Sequence, residues 1–513
     1  MGKNILILCL CFTLCAVLVV GGCGLQEKAG PEGQILKVAI GTDINTWDID
    51  KFPDGDARFV WSQIYETLVR LDPDLSLIPG LALSWETADN GKTWIFKLRE
   101  NVRFHDGTPF TAEAVVYSYG NRAYVANTKT LPVEKVEAID DYTIRFTCSG
   151  PVPLPTYLTH IAWPVVSPTS LDDGGGFGWP IGTGPFKYES YSKGQEVTLT
   201  RNDNYWGDKI KLDRVVFKII PEATTRVMAI YSGDVDMSLK IPESDVAKME
   251  KDANITVYRK LSTFTDFIQF NCCKTPFEDV NVRKAVAYAI DTEEIVENIL
   301  SGIGIAAQGR PYSPVMMYSS NDLPLYSRDK GRATSLLAAS GWKDENGDGV
   351  LEKDGEPLRV NMLVGQSWSP RELRIAEACQ AQLKEIGMAL EIRQLEPAAL
   401  SSQEREGGFD MIMRTGYFVW GPYPHHVKVH SSNSYAGHYH NELYDQLILQ
   451  AESETVEGKK QQAYDDIQKM IIDDLPAFYL VHEEKIVAVR DKVRGYVITA
   501  EDPWLELKGV SLE

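Results

Sequence analysis

Residues 279–300, DVNVRKAVAYAIDTEEIVENIL, place apolar side chains at Val282, Ala285, Val286, Ala289 and Ile290. That spacing predicts a helix with one buried face. Residues 376–395, AEACQAQLKEIGMALEIRQL, predict a helix ended at Gly387 and a strand directly after it. Residues 457–481 repeat the order helix then strand. Upstream, TWIFKLREN (93–101) is rich in β-formers and half-alternating, and DGTPF (106–110) is a turn. Thr111 then starts a helix with Glu113 in its first turn, where a negative charge suits the dipole. Helices alternating with strands argue for an α/β protein whose mixed or parallel sheets are covered by helices. A chain of 513 residues exceeds the size of one growing core, so two or three lobes are expected.

The first residues stand outside that pattern. Lys3 precedes an apolar run from Ile5 to Val20, which then meets VGGCG. The run is too short for a stable membrane span and reads as an export signal. Small residues directly before a cysteine are similar to a lipobox, which makes Cys23 the expected lipid-bearing first residue of the mature chain. The protein is then extracytoplasmic, in a periplasm or at the cell surface, and anchored to the membrane by that lipid. The polar stretch after Cys23 reads as a flexible tether. Cys9, Cys11 and Cys15 leave with the signal, so Cys148, Cys272, Cys273 and Cys379 remain. They include no CxxC pair, and neither a disulfide framework nor a thiolate zinc site is expected.

Charge and composition narrow the function. A formal charge of -20 argues against nucleic acid, whose binding rests on clustered Lys and Arg. The 11 Trp and 23 Tyr exceed what packing needs and suit a pocket lined by flat, amphipathic rings. HExxH, GxSxG and P-loop patterns are absent, which argues against an enzyme.

Several longer stretches resemble one family. YETLVRLDPDLSLIPGLALSWETADNGKTWIFKLRENVRFHDGTPFTAEAVVYS (65–118), GTGPFKYESY with RNDNYWG (182–207) and PFEDVNVRKAVAYAID (276–291) are similar to solute-binding proteins of peptide/nickel-type ABC importers, the family 5 extracellular solute-binding proteins. ATSLLAASGW (333–342), LKEIGMALEI and GGFDMIM follow in the family's order. Ala114 departs from it, where the family usually has an acidic residue. The resemblance implies a two-lobed, periplasmic-binding-protein-like α/β fold of type II, in the large class with an extra domain. It implies a monomer that works with permease and ATPase subunits of an importer. The expected segments are a signal peptide (1–22), a lipid-anchored linker (23–35), lobe I (36–70, 176–280 and 488–513), the extra domain (71–175) and lobe II (281–487). Crossing strands are expected near residues 276–291 and 486–495.

The ligand question turns on residues 423–440, YPHHVKVHSSNSYAGHYH, which hold five of the eight histidines. Peptide-binding members resemble one another in an acidic residue here that holds the peptide's ammonium group. This chain has no Asp or Glu between Asp410 and Glu442. Nickel-type members resemble it better, with Trp420, Gly421, Tyr423, Pro424 and His425 or His426 in place and His438, less so His440, where a later histidine falls. Imidazole suits Ni(II), Cu(II) and Zn(II). His426 and His430 are four apart and share a face if helical. The expected ligand is therefore nickel, or a related transition metal, as a small-molecule chelate, with di- or oligopeptides as the alternative. Expected contacts are His438, His440 and His426 for metal and Trp420 and Tyr423 as walls. Arg58 is the expected carboxylate clamp, with Arg414 and Arg122 behind it. His160 and Trp163 stand in a segment where many members of the nickel type carry an arginine, by resemblance, and this chain has none.

Residues 344–355, DENGDGVLEKDG, start as an EF-hand loop does, with Asp344, Asn346, Asp348 and Gly349 at positions one, three, five and six. Position twelve is Gly355 in place of the bidentate Glu, so a hairpin turn is the expected reading.

Overall fold

Two strands set the architecture, Ile255–Phe270 with 16 residues and Ala477–Arg490 with 14. A strand rises about 3.3 Å per residue, so such elements reach roughly 50 Å and can serve two separate cores. The computed structural model describes residues 33–48, 55–87, 89–121, 131–170, 179–366, 370–417, 439–454, 456–501 and 504–513. Among these, eleven strands form one mixed sheet. Its path runs Ala389–Leu395, Arg359–Gly365, Met411–Tyr417, Ile255–Phe270, Ala477–Arg490, Met237–Leu239, Ile35–Ile40, Arg214–Ile219, Glu196–Arg201 and Phe186–Ser192. Ile305–Ala306 pairs beside Ala477–Arg490, off that path.

The second long strand shows how one element joins two cores. Phe478, Leu480 and Val481 pack with Val282, Val286, Ile375 and Leu383. Val487 and Val489 pack with Leu36, Val38, Phe217 and Leu239. The span between them, residues 482–485, reads His-Glu-Glu-Lys. On the first long strand the register slips between Leu261 and Thr265, so Ser262, Thr263 and Phe264 face a single residue, Glu483. A bulge of this kind bends the strand at the passage from one core to the other. The crossing expected near 276–291 lies upstream, in Ile255–Phe270. Residues Val280–Ala289 are a helix, which rises only about 1.5 Å per residue and cannot span two cores.

A third core surrounds the four-stranded sheet of Ala82–Thr87, Thr93–Leu98, Thr143–Cys148 and Val133–Asp140, in that order. Phe96, Leu98, Ile144 and Phe146 meet Leu158 and Trp163 there. The helix Val280–Ala289 starts at Asp279, whose carboxylate accepts the Asn281 N–H at 2.8 Å. Pro370–Lys384 stops before Gly387 at φ +79, and the strand Ala389–Leu395 follows. Glu457–Asp474 ends at Leu475 and leads into Ala477–Arg490. Cys148 and Cys379 are buried, and burial pushes their thiols up to about 11 and about 12.

Candidate functional site

Arg58 is the second residue of the helix Ala57–Ile64, half-buried, with its Nε donating to the Gly55 carbonyl at 3.1 Å. The helix begins after Asp56, a buried carboxylate that accepts the Gly41 N–H at 2.6 Å and pairs with Lys240 at 2.6 Å. Burial alone raises the Asp56 carboxyl, but Lys240 and the Gly41 N–H together bring it below the ordinary range. Lys240 and Lys485 both stand over the Phe59 ring, 5.8 and 5.7 Å from its centre. Lys485 Nζ also donates to the carbonyls of Trp504 (2.8 Å) and Glu501 (3.1 Å). Arg58 therefore sits on a helix whose start is surrounded by cations.

Arg414 and His440 stand at other elements. Arg414, on Met411–Tyr417, is buried and its Nη2 pairs with Glu404 at 2.6 Å. His440 is exposed, just before Asn441, whose side chain caps the helix Glu442–Ser453. His160 is buried in a turn, with Nδ1 accepting the Ala162 N–H at 3.0 Å and its ring edge-on to Trp163. Cys23, Arg122, Trp420, Gly421, Tyr423, Pro424, His425, His426, His430 and His438 lie outside the described residues.

The crossing of the two long strands carries a constellation that sequence reasoning missed. Thr265 pairs with His482 across the strands, and its hydroxyl meets His482 Nδ1 at 2.9 Å. One residue on, Asp266 is fully buried and binds Arg371 Nη2. Arg371 also reaches Glu243 at 3.4 Å and Glu483 at 3.6 Å, and Arg374 binds Glu243 at 2.9 Å. Three carboxylates thus face two guanidiniums. Burial, with Glu483 beside it, raises the Asp266 carboxyl well above its usual range despite the pull of Arg371. Burial works against the Arg371 charge, but Asp266, Glu483 and Glu243 hold its proton on more firmly than usual. Glu243 opens the helix Glu243–Met249, whose Val246 and Met249 belong to a core with Ile486 and Ala488. Arg371 and Arg374 belong to Pro370–Lys384, which packs on the opposite core. The cluster therefore ties the two cores together across the crossing. The signal available in sequence was the HEEK interruption of an otherwise apolar strand.

In residues 344–355 the carboxylates of Asp344, Asp348 and Glu352 lie within 4.8 Å of one another. Glu352 stands at position nine of the loop. It accepts the Glu345 N–H at 2.8 Å and the Asn346 side-chain N–H at 2.5 Å. Glu352–Lys353 and Glu356–Pro357 pair as the hairpin expected here.

A sequence profile for bacterial extracellular solute-binding proteins, family 5, matches residues 76–435. The chain belongs to that family. This solute-binding protein is 29% identical over 459 residues to the oligopeptide-binding protein AppA of Bacillus subtilis, covering 85% of this chain and 83% of the relative. It is 30% identical over 390 residues to the nickel-binding periplasmic protein of Escherichia coli K12, covering 72% of each. Among solved structures it superposes on NikA from Brucella suis in complex with Fe(III)-EDTA with a TM-score of 0.84, at 24% identity over 93% of this chain and all of that one. AppA of Bacillus subtilis in complex with a nonapeptide gives a TM-score of 0.79 at 25% identity, covering 94% of this chain and 99% of that one. The mixed α/β architecture is thus that of the family's binding proteins, and the chain serves an ABC importer as a binding protein and not as an enzyme. No helix among the described residues is long and apolar enough to cross a membrane.

Proposed function

We propose that this solute-binding protein captures nickel, or a related transition metal, as a small-molecule chelate between lobe I (36–70, 176–280 and 488–513) and lobe II (281–487). Residues 71–175 form an added domain, and a lipid on Cys23 tethers the mature monomer to the membrane beside its permease and ATPase. One observation carries the choice of ligand. A peptide's buried ammonium needs an anionic partner, and of the carboxylates bracketing the histidine-rich stretch one is engaged and the other exposed. Asp410 holds Lys274 at 2.6 Å and the Asn361 N–H at 2.8 Å. Glu442 is exposed in the first turn of its helix. Five imidazoles between them suit a transition metal instead. His438, His440 and His426 are the proposed donors, Trp420 and Tyr423 the walls, and Arg58 the clamp on a chelator's carboxylate. The second reading, a di- or oligopeptide receptor, is favoured by the likeness to the oligopeptide-binding AppA over 85% of this chain.

Metal analysis and small-molecule mass spectrometry of protein purified from its native source test the reading, followed by calorimetry with nickel(II) and L-histidine. His438→Ala is expected to weaken that binding at least about tenfold, roughly 1.4 kcal/mol. Tight binding of peptides with no response to His438→Ala gives the site to the second reading. Cys23→Ala is expected to release the protein from membranes with solute binding intact; a wild-type protein that is soluble after export removes the anchor.

A further inference from the structure

The imidazole of His482 is 1% exposed, and its Nε2 has no hydrogen-bond partner. Buried polar groups are almost always paired, so an orphan in a well-bonded neighbourhood points to a group that joins later. The neighbourhood is well bonded. The backbone of His482 lies between two strands, opposite Thr265 on one side and Ile305 on the other. Ser313 Oγ, also buried, donates to the Ser262 carbonyl at 2.6 Å, and Ser262 Oγ accepts the Phe264 N–H. Of the ring's two nitrogens, the far one is left open.

The tautomer follows from counting. If Nδ1–H donates to Thr265 Oγ1, two groups stay open, the Thr265 hydroxyl hydrogen and the Nε2 lone pair. If the Thr265 hydroxyl donates to Nδ1, the single open group is an Nε2–H. The second arrangement leaves fewer buried groups unsatisfied and makes Nε2 a donor. Arg310, half-buried and committed to the Ser320 carbonyl at 2.8 Å, adds positive potential at the ring. A donor in a positive field selects an anionic oxygen over a carbonyl. Burial holds the ring's own pKa down to about 3, so it donates as a neutral group throughout the working range. His482 also stands where the strand has left the core of Leu480 and Val481 and not yet joined that of Ile486 and Ala488.

We propose that His482 is a solute-binding residue whose Nε2–H donates to a carboxylate oxygen of the captured solute at the crossing of the two long strands. The assignment rests on the reading that solute is held between the two cores, and it stands apart from the choice of metal chelate or peptide. The carboxylate can belong to an amino acid chelating a metal or to the C-terminus of a peptide.

Side-chain geometry supplies the test. Glutamine carries its amide N–H out to where Nε2 sits, whereas asparagine reaches only the Nδ1 position beside Thr265. Calorimetry on the full mature chain compares nickel(II)–L-histidine with nickel(II)–L-histidinamide, and Met-Leu with Met-Leu amide. For the carboxylate probe that binds, His482→Asn is expected to weaken affinity at least about tenfold and His482→Gln no more than about threefold. The matching amide is expected to bind weakly and to ignore both variants. Equal losses in the Asn and Gln variants, or no loss in Asn with thermal stability retained, overturn the assignment. So does an amide bound as tightly as its acid, or silence from all four probes. Silence from the nickel probes alone removes the nickel reading, and the Met-Leu pair then decides His482.

Discussion

Thr265 and Asp266 are neighbours on one long strand, as His482 and Glu483 are on the other, yet the two pairs serve opposite faces of the sheet. Alternation of side chains along a strand separates them. On one face Asp266 and Glu483 meet Arg371, Arg374 and Glu243 in a charge cluster that spans the two cores. On the other, Thr265 and His482 share one hydrogen bond and leave an open ring nitrogen. The first face sets opposite charges against one another; the second holds a neutral ring with one nitrogen open. What differs is the charge beside each group, since Asp266 and His482 are both buried.

The largest effect is expected from breaking the charged face. Asp266→Ala takes a buried hydrogen-bond partner from the Arg371 guanidinium, a change of about 1.5–3 kcal/mol in unfolding free energy, as for a hydrogen bond to a charged group. Denaturant unfolding checks it; a loss below about 1 kcal/mol would mean the cluster is solvated and the two faces are alike.

The pH dependence is expected to have opposite signs on the two faces. Asp266 keeps its proton in the folded state more firmly than in the unfolded chain, so its contribution is full below its ordinary value of 3.8 and is lost as pH rises toward the raised folded value. His482 has a folded pKa of about 3 against an ordinary 6.5, so its contribution is present above 6.5 and is lost as pH falls toward 3. Thermal midpoints across pH 4–8 are expected to fall more gently on the acid side in His482→Gln than in wild type. Asp266→Asn is expected to flatten the alkaline-side decline. Parallel curves for all three proteins would remove the contrast.

Thr265→Val makes the smallest change, about 1 kcal/mol for one hydrogen bond whose partner stays buried. It also frees the His482 ring to turn, so solute affinity is expected to fall more than stability does. Reduced stability with undiminished solute binding in Thr265→Val contradicts the positioning of the ring.

Legibility in the sequence varied with how local the cause was. The helices Val280–Ala289, Pro370–Lys384 and Glu457–Asp474 follow from apolar spacing and from Gly387, all readable within a dozen residues. The strand Ile255–Phe270 was not read, because ITVYRKLSTFTDFIQF changes cores midway and its alternation breaks at the Ser262–Phe264 bulge. His482 escaped for a related reason. Its partner Thr265 is 217 residues away, and one histidine on a strand carries no pattern, while five together at 425–440 do. Arg58 was legible as a cation at a helix start, but the lysines that gather beside it come from Lys240 and Lys485, far along the chain. Arg414 looked available from its place at a strand end; its pairing with Glu404 depends on the adjacent helix Pro397–Glu406.

A crystal structure of the mature protein carrying the solute it acquires in its native source tests the central claim most directly. The account predicts a carboxylate oxygen within about 2.7–3.2 Å of His482 Nε2, with the Asp266–Arg371–Glu243 cluster intact on the other face. A solute bound with no acceptor near that nitrogen, or held by the charged face, contradicts it.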